Sequence, residues 1–263
     1  MLNEIIKIAK DAGKIALAAE EDRHIMSKEG RGNFVTEYDK RVQSFIIEKL
    51  SALMPEAYFL GEEGDTIPNE VGDGYVFIID PIDGTMNFIK GNPSYAISIA
   101  LVKDTVPIMG VVYSPLQNTL YYAEKGKGAK VVRNGVEKIL HTSDCGLDGA
   151  IIGFGTCPYS VEMLYKSFDT VKKLLSRASD VRRSGSAALD ICFVAEGVLD
   201  LMLEMKLFVW DFCAASLILS EAGGIYSQFD GSKAGKLVNS SYICGSPNSY
   251  AEAIDFLKEL ANK

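Results

Sequence analysis

Apolar residues recur at three- and four-residue steps from the first turn of the chain. Leu2, Ile5, Ala9, Ala12, Ala16 and Ala19 would share one face of an amphipathic helix. A second helix is predicted after Asp39, with Val42, Phe45, Ile46, Leu50 and Leu53 on its apolar side. Pro55 bars its continuation, because proline has no N–H for the helix ladder. From Tyr58 the period shortens: β-rich runs at 58–60, 75–79, 95–102, 106–113 and 120–123 are broken by Gly, Pro, Asn and Asp. The rest of the chain alternates. A strand at 151–154 precedes a helix at 160–177, and a helix at 187–196 leads into a strand at 199–204. A further helix at 210–221 stops at Gly223-Gly224, and a last one begins near Pro247. Mixed layers of helix and sheet follow from this pattern, with no repeat and no linker that divides the chain.

Composition narrows the classes. With 263 residues, 48% hydrophobic and 24% charged, the chain can bury a substantial core. Its net charge of -8 and the lack of a Lys/Arg run argue against nucleic acid as the main ligand. Five widely spaced cysteines without a C-x-x-C point to buried thiols in a reducing compartment. The N-terminal residues are charged throughout, without the apolar core of a signal peptide, and no stretch is long and apolar enough to span a bilayer. The expectation is a soluble cytoplasmic protein.

Only two histidines, His24 and His141, are present, so chemistry must come from acids in special settings. In VFIIDPIDGTMNF a strand ends at Asp80, Pro81 forbids further ladder pairing, and Gly84 permits a tight turn. Asp80 and Asp83 then lie at the carboxyl end of a strand, where α/β proteins commonly bind ligands. Carboxylates this close repel unless a proton or cation sits between them, and hard oxygen donors suit Mg²⁺ or Mn²⁺. The N–H groups of Gly84 and Thr85, at a helix start, suit a phosphate oxygen. Taken alone, D-P-x-D-G is also ordinary turn chemistry, the GEEG at 61–64 reads as a solvated turn, and Asp211 suits a helix dipole without further purpose. Together, Glu62, Asp80, Asp83 and Asp211 form a set of acids that can meet a phosphate only through two or more divalent cations. Metal-assisted phosphoryl transfer to water is the chemistry they point to.

Read in order, Lys28, FVTEYD at 34–39, GEEG at 61–64, DPIDGTMNF at 80–88, RRSGSAA at 182–188, Glu204 and WDFCAASLILSEAGG at 210–224 resemble the inositol monophosphatase family across essentially the whole chain. The resemblance implies an α/β protein of layered αβαβα type. An N-terminal α+β half at 1–140 would carry most metal ligands, and an α/β half at 141–263 would carry substrate contacts and the last ligand.

It implies residue roles as well. Glu62, Asp80 and the carbonyl of Ile82 would hold one Mg²⁺; Asp80, Asp83 and Asp211 would hold a second, and a third, hydrated ion would lie near Glu62. Thr85, paired with Asp39, would act with Glu62 to orient and deprotonate the attacking water, while Gly84 and Thr85 hold phosphate. Gly185, Ser186, Ala187 and Glu204 would contact substrate hydroxyls, and Lys28 would stand beside the metals. Inositol monophosphate is the implied substrate, with sugar bisphosphates, nucleotide 3′-phosphates and NADP as alternatives. A homodimer and sensitivity to lithium are also implied. Met86 and Phe208 depart from the family pattern on the substrate side. Haloacid dehalogenase-like phosphatases also carry an Asp-rich DGT turn, but their two acids are separated by one residue, whereas two stand between Asp80 and Asp83. A non-catalytic regulatory binding protein of the same fold is the other rival.

Overall fold

The computed structural model describes residues 1–18, 25–27, 34–64, 74–232 and 238–261. Lys28 and Ala19 lie outside them. The first helix, α1 (Leu2–Leu17), buries Ile5, Ile8, Ala9, Ala12 and Ala16, the face that the spacing predicts. A small antiparallel pair, β1 (Ile25–Ser27) and β2 (Phe34–Thr36), precedes α2 (Glu37–Leu53). The second helix therefore begins before Asp39 rather than after it. Thr36 is its N-cap, and Asp39, at the third position, accepts the Thr36 N–H in return, a reciprocal capping box.

Seven strands follow: β3 (Tyr58–Gly61), β4 (Tyr75–Asp83), β5 (Ala96–Lys103), β6 (Val106–Ser114), β7 (Thr119–Glu124), β8 (Ala129–Arg133) and β9 (Val136–Ile139). They form one sheet in sequence order, parallel between β3 and β4 and antiparallel thereafter. Pro81 does not end β4 as expected. The register against β5 shifts between Asp80 and Asp83, so the missing proline N–H falls in a bulge, where a lost ladder bond is tolerated. A short helix, α3 (Thr85–Lys90), leaves that bulge.

The second sheet is built from β10 (Ile151–Phe154), β11 (Asp180–Arg182), β12 (Leu201–Leu207), β13 (Ile225–Ser227) and β14 (Ser240–Gly245), ordered β11-β10-β12-β14-β13. Its helices are α4 (Val161–Leu175), α5 (Ala187–Ala195), α6 (Val209–Glu221) and α7 (Pro247–Ala261).

Three cores set the layers. Along β4, Phe77 and Ile79 face α1 and α2, while Val76 and Ile78 face α5 and α6. Both faces are covered, so the strand reads as a continuous apolar run rather than an alternating one. The same α5 and α6 pack against Met202, Tyr242 and Cys244 of the second sheet, whose other face, with Ile152, Leu201 and Ile243, meets α4 and α7. This is the expected αβαβα order. In α6 the run from Phe212 to Leu219 is buried, as a helix enclosed between two sheets must be. Gly110 of β6 lets that helix approach: a Cβ there would lie 2.5 Å from the Ala214 carbonyl oxygen.

Candidate active site

The bulge at the end of β4 builds the centre. Asp80 Oδ1 accepts the Ile82 N–H at 3.0 Å, which locks the turn. Gly84 then adopts φ +90° between two backbone carbonyls. A Cβ there would meet Ser94 O at 3.0 Å and Gly185 O at 3.1 Å, so both the angle and the space call for glycine.

Asp83 reaches out of the first sheet to the start of α5. Its Oδ2 accepts the Ser186 hydroxyl at 2.5 Å and the Ala188 N–H at 2.7 Å, and its Oδ1 accepts the Ala187 N–H at 3.2 Å. Asp211 sits in the first turn of α6 and accepts the Phe208 N–H at 2.8 Å. Both acids thus occupy helix N-termini, where the dipole favours negative charge. Glu62 follows the last residue of β3 and donates its backbone N–H to Ile79 O at 3.1 Å. Asp39 stands behind Thr85, whose hydroxyl lies 3.4 Å from Asp39 Oδ1 and 3.2 Å from Ile82 O. One hydroxyl proton serves one of these acceptors at a time.

A cavity of about 390 Å³ opens over these residues, lined by Glu62, Asp80, Ile82, Asp83, Gly84, Thr85, Gly185, Ser186, Ala187, Glu204 and Asp211. Of the residues expected here, Asp39 lies one hydrogen bond behind the wall and Lys28 is outside the described residues. The wall also holds Phe208, expected on the substrate side, and residues to which the sequence assigned no role. Asp190 is the only charged residue within α5, a signal that could have marked it. Arg183 donates to the Thr156 hydroxyl at 3.2 Å. Tyr159, Lys206, Phe208 and Trp210 form an aromatic and cationic rim, with the Phe208 and Trp210 rings stacked 5.1 Å apart. Glu204 accepts a weak contact from the buried Cys157 thiol at 3.7 Å, and the Gly155 backbone presses so closely on its carboxyl that no Cβ would fit.

Burial dominates the electrostatics. It raises Asp83 from 3.8 to about 6 even against its three donors. Asp39 also stands at about 6, pushed up by burial and by Glu62 and Glu63 against the Thr36 bonds. Burial and neighbouring acids carry Asp190 to about 7 and Glu204 to about 8. Asp80 is raised well above the carboxylate range by burial and by Glu62, Asp83, Asp211 and Asp39; Asp211 is raised likewise by burial, Asp83 and Glu62. Among the described residues no Lys or Arg forms an ion pair with Asp80, Asp83 or Asp211.

The donors fit a hard divalent cation: they are all oxygen, four of them carboxylates, beside the Ile82 carbonyl. Among the described residues no three His, Cys, Asp or Glu side chains form a metal-holding group by themselves. Mg²⁺ usually keeps several waters and shares its shell with substrate phosphate, so its carboxylate ligands need not be gathered into a ready-made cage. Each carboxylate offers about four lone-pair positions, so the backbone bonds above leave acceptor capacity facing the cavity.

The inositol monophosphatase family model matches residues 1–260. A relative from Escherichia coli K12, Nus factor SuhB, is 35% identical over 250 residues, covering 94% of this chain and 91% of that protein. Among solved structures, the inositol monophosphatase of Thermotoga maritima superposes with a TM-score of 0.85 at 29% identity, over 98% of this chain and 96% of that one. An inositol monophosphatase of Staphylococcus aureus, solved with inositol monophosphate bound, gives 0.83 at 28% identity over 99% and 94%. The same staphylococcal protein has been solved with 2′AMP bound and gives 0.82 at 29% over 98% and 93%. Fold, acidic centre and whole-chain match agree, and the chain belongs to the inositol monophosphatase family.

Proposed function

We propose that the chain hydrolyses a small phosphomonoester with Mg²⁺ as its cofactor, and that inositol monophosphate is the substrate. One observation carries this reading: buried aspartates at the end of one strand and at two helix starts surround a cavity of about 390 Å³ and are paired with no described cation. Such a site repels a phosphate until cations neutralise it. Glu62, Asp80 and the Ile82 carbonyl would hold one ion and Asp80, Asp83 and Asp211 a second, with a third, looser ion beside Glu62 and Mn²⁺ as a substitute. Bound there, the metal supplies Lewis acidity toward phosphate and water.

The remaining work belongs to side chains. Thr85, paired with Asp39 and Ile82 O, would act with Glu62 to orient a water at the cavity wall and take its proton. The water oxygen forms the new P–O bond as the ester P–O bond breaks, and a proton returns to the departing alcohol. The Gly84 and Thr85 amides would hold phosphate, and Gly185, Ser186, Ala187 and Glu204, which line the same cavity, would contact the alcohol's hydroxyls. The staphylococcal complex with inositol monophosphate supports the substrate, and its 2′AMP complex, together with the Tyr159, Phe208 and Trp210 rim here, supports a nucleotide as second reading. The homodimer and lithium sensitivity are part of the same proposal, as is a cytoplasmic location. No helix among the described residues is long and apolar enough to cross a membrane.

The test is Mg²⁺-dependent phosphate release on a panel of inositol 1-phosphate, 2′AMP, fructose 1,6-bisphosphate, adenosine 3′,5′-bisphosphate and NADP. Release that needs Mg²⁺ and favours inositol 1-phosphate is expected. No release from a folded, metal-loaded protein would turn the reading toward a regulatory binding role, which the Nus factor name of the E. coli relative supports.

A further inference from the structure

Gln43 is a buried polar side chain outside the cavity, one helical turn beyond Asp39 on α2. Its carboxamide does not merely find a partner. The oxygen accepts the Glu63 N–H at 3.0 Å, and the amide nitrogen donates to the Glu63 carbonyl. One side chain therefore meets both polar groups of one backbone residue, as a neighbouring strand would. Glu62, the residue before, is held from the other direction by its own N–H on Ile79 O at 3.1 Å, a bond that joins that segment to β4. The approach needs Gly61. A Cβ at that position would lie 2.3 Å from Gln43 Oε1 and 2.5 Å from its amide carbon.

We propose that Gln43 is a positioning residue for Glu62: by clamping the Glu63 backbone through the space that Gly61 leaves, it fixes the Glu62 carboxylate at the wall of the cavity. The assignment rests on the metal reading above. Only a carboxamide suits this task among side chains of its length, since a carboxylate cannot donate to the Glu63 carbonyl and an ammonium cannot accept the N–H. The arrangement also makes α2 a common support. Asp39 holds Thr85 and Gln43 holds the Glu62 segment, so one rigid helix sets two groups of the site in register. Groups that orient a metal ligand from behind typically contribute 10- to 100-fold to affinity.

The experiment uses the full chain freed of metal, with Mn²⁺ as the probe and binding read by electron paramagnetic resonance, alongside the melting temperature and steady-state kinetics. Gln43→Ala is expected to weaken Mn²⁺ binding about tenfold. The KM for the phosphomonoester at saturating metal stays unchanged, since the substrate wall is not touched. Gly61→Ala, which leaves the carboxamide intact but denies it room, is expected to reproduce the loss. It also serves where the first variant fails to fold. The double variant should bind no more weakly than the weaker single variant, because with Gln43 gone Gly61 no longer needs to be small.

Mn²⁺ affinity of Gln43→Ala within about twofold of the parent overturns the assignment. Losses that multiply in the double variant overturn it too, since they would make the two positions independent. A parent protein that binds no Mn²⁺ overturns the metal reading itself, and this assignment with it.

Discussion

Replacing Asp80 with Asn tests whether the acidic centre is built for a cation it lacks when stripped of metal. The substitution is nearly isosteric, and the asparagine carbonyl can keep the Ile82 N–H that Asp80 Oδ1 now accepts. What changes is the charge. Asp83 calibrates its cost. Held at about 6 instead of 3.8 despite three donors, it disfavours the folded, metal-free protein at neutral pH by roughly 3 kcal/mol. Asp80 has one backbone donor in place of three and four acidic neighbours, and burial and those neighbours push it up in the same direction.

The sign follows from linkage. At low pH the carboxyl is protonated folded and unfolded, and Asn has no advantage. As pH rises past 3.8 the unfolded chain ionises first while the buried group keeps its proton, so the parent loses stability until the folded group ionises too. Chelated Asp80→Asn should therefore melt several degrees above chelated parent at about pH 8, with the gap shrinking toward about pH 4.5. Mg²⁺ should reverse the order, raising the melting point of the parent and hardly that of the variant, whose phosphate release is lost. Scanning calorimetry at both pH values reads this directly. A chelated variant that melts at or below the parent at the higher pH would refute the view that repulsion and burial stress this centre.

Thr85→Ala removes the hydroxyl between Asp39 and Ile82 and should lower kcat by about 10²–10⁴ while Mn²⁺ binding persists, as kinetics and titration together will show. Glu204→Gln removes an ionisable group held at about 8 from the cavity wall; the KM for a polyol phosphate should rise about tenfold with little change in Mg²⁺ requirement. In metal-free protein, Mn²⁺ affinity should fall as pH drops through about 6, because Asp83 is then protonated and a neutral carboxyl is a poor ligand. Gly110→Ala should cost about 1–3 kcal/mol, since its Cβ would meet the Ala214 carbonyl of α6 at 2.5 Å with backbone on both sides; urea unfolding measures it.

The layers were legible in the sequence because their signals are local. Period and punctuation located α1, most of the first sheet and the α4 to α6 alternation within a few residues. Among the strands that escaped, β9 is exposed along its whole length and β11 and β13 have three residues each at sheet edges, whereas β8 and β14 are partly buried strands that the sequence pattern did not mark. The start of α2 was misplaced because Asp39 reads as a boundary residue, whereas the cap is Thr36 and Asp39 answers it from inside the helix. In the site, motif order brought out the acids, but Asp190, Tyr159 and Lys206 came only with the fold, since nothing in their immediate neighbours ties them to Asp80.

What local patterns cannot carry is the way the centre spans the two sheets. Asp83 leaves the first sheet and accepts the Ala188 N–H of the second unit across 105 residues of chain. Asp211 and Asp39 cap their own helices, α6 and α2, through local N–H bonds, so three of the acids each stand in the first turn of a different helix or bind to its start. Helix dipoles lower the cost of such charges by about a kcal/mol each. That is too little here: Asp39 and Asp83 remain at about 6, and Asp80 and Asp211 are also raised well above their ordinary value. Backbone dipoles therefore orient these carboxylates without neutralising them. The charge left over makes a cation, and through it a phosphate, the natural occupant of this cavity.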